Sequence, residues 1–411
     1  MKKIQLTAIL TIFTIIGIFA QGTVRYSPFQ VSLFPPLGTN GMHAANTVNY
    51  FSLNIFTGVS AGVQGIEVGS FVNIERDFVK GIQLAGFGSI NAGDIQSMQF
   101  SGFFNVNKGS GIAIQSAGFV NLNAGDIKGI ETAGFFNTSR DFTGIQAAGF
   151  GNLAGKVEGG QAGGFFNISG DITGGQAAGF VNRAKNVLGG QAAGFVNLAG
   201  DVQGGQAAGF VNLAEDVEGG QAAGFINVAR NVKGFQIAGF INICDSIDGV
   251  PIAVVSIVRK NGYRKIEISS DETFYLNTSL KMGVEKFYTS ITLGMRTNHA
   301  KNYYSYGFGA GTNIVFDPKK SLSIEYQMQQ LFDFEFESGS YDHELNRLKA
   351  LFNYHYSKKL CLFAGPTINL LTSGKPEYTN AIRPSWAFEI SDRKYSRADA
   401  WFGFSAGLRF L

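Results

Sequence analysis

Cysteine, proline and histidine are all scarce in this chain, and each scarcity removes a class of protein. Only Cys244 and Cys361 occur among 411 residues, so no disulfide framework of the small secreted kind is available. The four histidines, His43, His299, His343 and His355, are scattered without metal-ligand spacing. Proline is absent from Leu37 to Val250, so this long interior lacks the residue that interrupts a strand ladder. Charged residues make up only 15% of the chain and the formal net charge is +3, which leaves no electrostatic footprint for nucleic acid. No GK[ST] follows the glycines of YGFGAGTN, so Gly307, Gly309 and Gly311 do not form a phosphate loop. The calcium-binding GGxGxD nonapeptide is missing too. With no convergent cluster of carboxylates or bases, an enzyme is not expected, nor is any cofactor or metal.

Glycine and phenylalanine, by contrast, are abundant and periodic. The phrase GGQAAGFVNLAGDVQ recurs between Gly65 and Asn242 with its Phe at sixteen-residue and then fifteen-residue intervals. The later members are Phe135, Phe150, Phe165, Phe180, Phe195, Phe210 and Phe225. Two residues after each comes Asn137, Asn152, Asn167, Asn182, Asn197, Asn212 or Asn227. Four residues before Phe sits Gln, as in Gln161, Gln176, Gln191, Gln206 and Gln221, with Glu131 and Glu67 as exceptions.

So short a period cannot hold a helix pair, and tight Gly turns between β-branched and aromatic positions favour extended segments. A β-solenoid with one repeat per coil is expected over 61–257, with a Phe ladder inside and Asn and Gln stacked in register. The atypical 21–60 segment is expected to cap it. The residue before Gln changes from Ile82, Met98, Ile114, Ile130 and Ile145 to Gly160, Gly175, Gly190, Gly205 and Gly220. This makes one side of the later coils flat and bare, and its Gln residues are candidates for contact with another surface.

Met1–Ala20 carries Lys2, Lys3, an apolar run from Leu6 to Phe19 and a small residue before Gln21. That order reads as a secretory signal peptide, and the run is short for a membrane-spanning helix.

Beyond the repeats, 258–411 changes to alternation of period two. Eight strands are expected near 263–270, 273–282, 285–296, 303–316, 321–334, 344–356, 359–371 and 400–411. Tight turns such as 283–285 and 317–320 alternate with longer connections at 297–302, 335–343 and 372–399. Apolar residues on one parity, small or polar ones on the other, and short turns on one rim are the pattern of an eight-stranded outer-membrane barrel. Within 372–399, Tyr378, Arg383, Trp386, Arg393 and Tyr395 form the most ligand-like mixture, suited to a glycan, an anionic headgroup or a protein partner.

The phrase GGQAAGFVNLAGDVQ, the opening PPLGTNG and the junction NGYRKIEISSDETFY resemble a group of exported Gram-negative bacterial proteins built from GxQxAGFxN surface repeats. The resemblance implies an envelope location and a repeat architecture, and supplies no reaction. Together these readings give an all-β, exported protein in contact with outer-membrane lipids, its repeats periplasmic or on the cell surface. The function expected is a scaffold or a binding and adhesion platform for an envelope glycan or another envelope protein. A small transport or sensing barrel with an accessory solenoid is the alternative.

Overall fold

A computed structural model describes residues 23–297, 302–332, 343–357, 359–374, 380, 382–393 and 396–410. The signal segment expected at Met1–Ala20 therefore lies outside the described residues. The protein is all-β, with a parallel β-solenoid followed by a closed, eight-stranded antiparallel barrel. The chain divides into two compact units, Met1–Glu215 and Asp216–Leu411.

The first unit begins with Arg25–Phe34, which pairs in parallel with Thr47–Asn54 across a short turn of 3-10 helix at Gly41–Asn46. Parallel stacking is thus already established within the segment expected as a cap. From Gly88 each coil carries one short strand and one longer one, such as Val181–Arg183 and Val187–Ala193. Every strand pairs with its equivalent one repeat away, Gln176 with Gln191 and Asn182 with Asn197. The turn within the longer strand is set by glycine. Gly174 and Gly189 have φ of 129° and 134°, and a Cβ on either would fall about 2 Å from the carbonyl oxygen one coil below.

The interior of the coil is narrow. It is filled by one aliphatic column (Val157, Ile172, Val187, Val202) and by the Gln and Asn columns, all buried. One phenylalanine, Phe142, stands in the aliphatic column opposite Val157 and is buried, but the recurring Phe of the repeat does not, and the expectation of an internal Phe ladder is overturned. Phe135, Phe150, Phe165, Phe180, Phe195 and Phe210 stack with ring centroids 4.7–5.3 Å apart and interplanar angles of 1–12°, yet each ring is 36–43% exposed. The physical reason is the Gly-Phe corner. Alternation carries Gln and Asn inward on either side of it, and the residue at its apex points away from the core.

This inversion resets the energetics of the two ladders. Phe195→Ala is expected to cost only about 1–2 kcal/mol, the value of a half-buried ring and its stacking partners. Asn197→Leu is expected to cost more, about 2–3 kcal/mol, because the Asn197 amide donates to the Ala207 carbonyl (2.7 Å) and to Asn212 (2.9 Å) inside the core. Denaturant midpoints of the two variants check the order; a larger loss for Phe195→Ala would contradict it.

In the second unit, Asp216–Ala223, Asn231–Ala238 and Ser246–Ile252 continue the parallel pairing, with Pro251 opposite Gln236. Phe225 and Phe240 stack at 5.1 Å. The barrel follows from Tyr263. Its strands are Tyr263–Asp271, Leu276–Val284, Phe287–Thr297, Asn302–Asp317, Lys320–Phe332, His343–His355, Leu360–Ser373 and Ser396–Phe410. First and last pair antiparallel, Ile266 opposite Phe410, and close the sheet. The second strand starts later than expected because the Asp271 carboxylate accepts the backbone amides of Thr273 and Phe274 at 2.8 and 2.7 Å, making a turn there. Phe388–Arg393, inside the segment read as a loop, is a further strand paired with the last one. At the short-turn rim, Thr289 Oγ1 donates to the Val254 carbonyl at 3.1 Å, and Lys286 lies 3.9 Å from Asp248.

Candidate functional site

Three sets of side chains were open to a functional role: the Gln column of the bare coils, the interior of the barrel and the 372–399 segment. The Gln column is internal. Gln161, Gln176, Gln191 and Gln206 are each 2% exposed and Gln221 is fully buried, so the expectation that these amides meet another molecule is corrected. Each of Gln161, Gln176, Gln191 and Gln206 donates from Nε2 to the Oε1 of the preceding coil's Gln at 2.8–2.9 Å. The Asn column runs the other way, Asn167 to Asn182 and Asn182 to Asn197 at 2.9 and 3.0 Å. Two amide chains of opposite polarity therefore share one core, and every link satisfies a group that burial would otherwise penalise.

Carboxylates interrupt the Gln column at two places. Glu131 accepts from Ser139 Oγ, Gln146 Nε2 and Asn123 Nδ2, each at 2.7 Å. It has no cation beside it, and burial pushes its carboxyl up to about 7. Glu67 accepts from Asn54 and Gln83, both at 2.8 Å, and faces Glu75, which is bonded to Ser60. Burial raises both carboxyls, and in Glu75 the neighbouring Glu67 charge raises it further. On the outer corner, Arg230 pairs with Asp216 at 2.8 Å and holds that exposed carboxyl down at about 2.

The barrel interior is polar and charged. Lys281 Nζ lies 2.5 Å from Glu267 and 2.6 Å from Glu325. Arg409 reaches the same two carboxylates at 2.5 and 2.9 Å, and also donates to Ser323 and Asn353. Tyr288 donates to Glu325 at 2.7 Å. Arg347 pairs with Asp271 at 2.5 Å. Toward the longer connections, Phe274, Tyr303, Leu331, Leu345, Leu371 and Trp401 form an apolar cluster with Ile382. Side chains thus fill the lumen, as the diameter of an eight-stranded barrel requires.

The described residues of the 372–399 segment are tied to the barrel at several points. Ile382 is fully buried, and its carbonyl accepts from Arg296 at 3.1 Å. Arg383 pairs with buried Asp399 at 2.6 Å. Trp386 is exposed, with its indole N–H on the Phe402 carbonyl at 3.0 Å. Tyr378, Tyr395 and the side chain of Arg393 lie outside the described residues, so the expected cluster is described only at Arg383 and Trp386.

Among the described residues no group of three or more His, Cys, Asp or Glu is placed to hold a metal ion. Cys244 and Cys361 are free and buried, and burial pushes the Cys244 thiol up to about 12. The lumen network escaped the sequence reading although a signal was present: Glu267 between Ile266 and Ile268, Lys281 between Leu280 and Met282, and Glu325 between Ile324 and Tyr326 are charges on the inward parity. No family model, curated protein or solved structure matches this chain.

Proposed function

We propose that the protein is a non-enzymatic cell-envelope protein in which an outer-membrane barrel anchors a repetitive solenoid, and that the solenoid serves as a scaffold and binding platform. The observation that carries this reading is the inverted polarity of the barrel. Ile266, Ile268, Tyr306, Phe308, Phe402 and Phe404 face outward and are exposed, while Glu267, Lys281, Glu325, Arg347 and Arg409 are buried inside. A barrel in water hides its apolar face, and only hydrocarbon rewards the opposite arrangement. A wall covered by lipid also explains why so much aromatic surface is left uncovered by protein. A transport role for the barrel would require the ion pairs of its lumen to separate.

Full-length protein is expected to fractionate with outer-membrane vesicles and to migrate faster on detergent gels before boiling than after. Recovery from the periplasm without detergent would overturn the membrane seat.

A further inference from the structure

One face of the solenoid in the first unit carries no charge along its whole length. Its outward positions are the residue before each Gln, the residue after it, the Phe at the corner and the residue following Phe. From the coil of Phe71 to that of Phe195 these positions hold only apolar residues and glycine, apart from Ser116 and Thr132. The face also contains a step. Met98, Ile114, Ile130 and Ile145 stand out from four successive coils, 40–57% exposed, and the next coils carry Gly160, Gly175, Gly190 and Gly205 at the same position. A shallow apolar depression, lined by Ile145, Gly160, Ala162, Gly175 and Ala177, lies at the step.

The solenoid itself does not demand the bare half. Gly160, Gly175 and Gly190 have no positive φ, and a Cβ on any of them would meet nothing nearer than 3.7 Å. Their neighbours Gly159, Gly174 and Gly189 differ: φ lies between 129° and 134°, and a Cβ would collide with backbone. Ile145 and Ile130 show that a large side chain is accommodated at the same place in the coil.

We propose that this face binds the same face of a second copy of the chain, related by a two-fold axis that runs parallel to the strands between Ile145 and Gly160. That operation reverses the order of the coils. Ile145 then meets Gly160 of the second copy, Ile130 meets Gly175, Ile114 meets Gly190 and Met98 meets Gly205, so four knobs enter four vacant positions twice over. The residues after Gln follow suit, with Phe100 opposite Ala207 and Thr132 opposite Ala177. Two further points select a second copy over lipid or an unrelated protein. A row repeating at the strand spacing of about 4.8 Å is matched in register only by a partner of equal pitch. The bordering positions Gln96, Lys128, Glu158, Thr173 and Gln203 mix charges and neutral residues, without the Lys/Arg rim of a bilayer-surface element.

The area is sufficient. The seven rings from Phe103 to Phe195, with Met98, Ile114, Ile130 and Ile145, leave roughly 900 Å² exposed per copy if each offers about 40% of roughly 200 Å², enough for the share of one partner in a standard interface, about 800 Å². The pairing is independent of where the barrel is seated.

Full-length protein bearing Ala162→Cys or Ala207→Cys, purified in micelles and treated with a short bismaleimide, tests it; Cys244 and Cys361 are buried. Across the proposed axis the two Ala162 sites sit about 5 Å apart along the coil direction and the two Ala207 sites about 34 Å, at about 4.8 Å per coil. The expected result is an Ala162→Cys dimer with Ala207→Cys remaining monomeric. Adding Gly175→Ile, or separately Ala192→Glu on the exposed face, is expected to reduce the Ala162→Cys dimer at least tenfold with the β circular dichroism unchanged. A chain that is monomeric throughout, equal cross-linking at both sites, or a dimer indifferent to both face variants would overturn the proposal.

Discussion

Arg409→Met is expected to lower the stability of the barrel by about 3–5 kcal/mol, the usual cost of removing one partner from a buried ionic network. Arg409 is 2% exposed. It supplies donors to Glu267, Glu325, Ser323 and Asn353 at 2.5–2.9 Å, and its guanidinium lies 4.5 Å from the Phe363 ring. Without it two carboxylates face each other with Lys281 as the cation between them. Arg409→Lys is expected to recover only part of the loss, because an ammonium cannot span both carboxylates with a planar fork. Arg409→Met combined with Glu267→Gln is expected to recover more, since the second change removes the charge left unpaired. The temperature at which the gel-shifted folded form disappears measures all three. A shift of the single variant equivalent to less than about 1 kcal/mol would show that the network is not what holds the barrel closed.

The second large effect depends on pH. The Glu131 carboxyl titrates at about 7 in the folded chain because burial raises it, against about 4.3 for an unfolded glutamate. Its contribution to stability is therefore complete below about pH 4 and is lost as pH rises through about 7, amounting to roughly 3–4 kcal/mol across that window. Glu131→Gln removes the loss and supplies an amide that can donate to Gln115, as the other coils do. The variant is expected to match wild type near pH 4 and to exceed it by roughly 3–4 kcal/mol near pH 8. Glu67 and Glu75 shift the same way, so the informative quantity is the difference between the two proteins at each pH. Amide exchange over Ile127–Ala148 reads it locally, and a difference that does not change with pH refutes the titration of Glu131.

Much of the architecture was written in the order of residues. The Phe and Asn spacings specified one repeat per coil, and each coil pairs one repeat from the next, as Asn182 with Asn197. Period-two alternation located all eight barrel strands, since a strand with one lipid-facing or solvent-facing side and one internal side must alternate. Misplaced ends came from local chemistry that alternation does not register, such as the Asp271 turn that delays the second strand. The Phe388–Arg393 strand was hidden within a long polar segment.

What the sequence alone determined about this protein is therefore period, register and the eight strands of the barrel wall, because these follow from residues recurring at fixed intervals along the chain. What only the tertiary structure decided is which recurring residue faces inward and which distant residues meet. The repeating Phe looked internal by hydrophobicity, yet its place at the Gly-Phe corner turns it outward, and the amides of Gln and Asn occupy the core once each is bonded to its copy above and below. Arg409 and Glu267 are separated by 142 positions, and closure of the sheet is what brings them together. A repeat fixes neighbours along the stack, whereas burial depends on the cross-section of the folded coil and the circumference of the closed barrel, and neither dimension exists until the chain has folded.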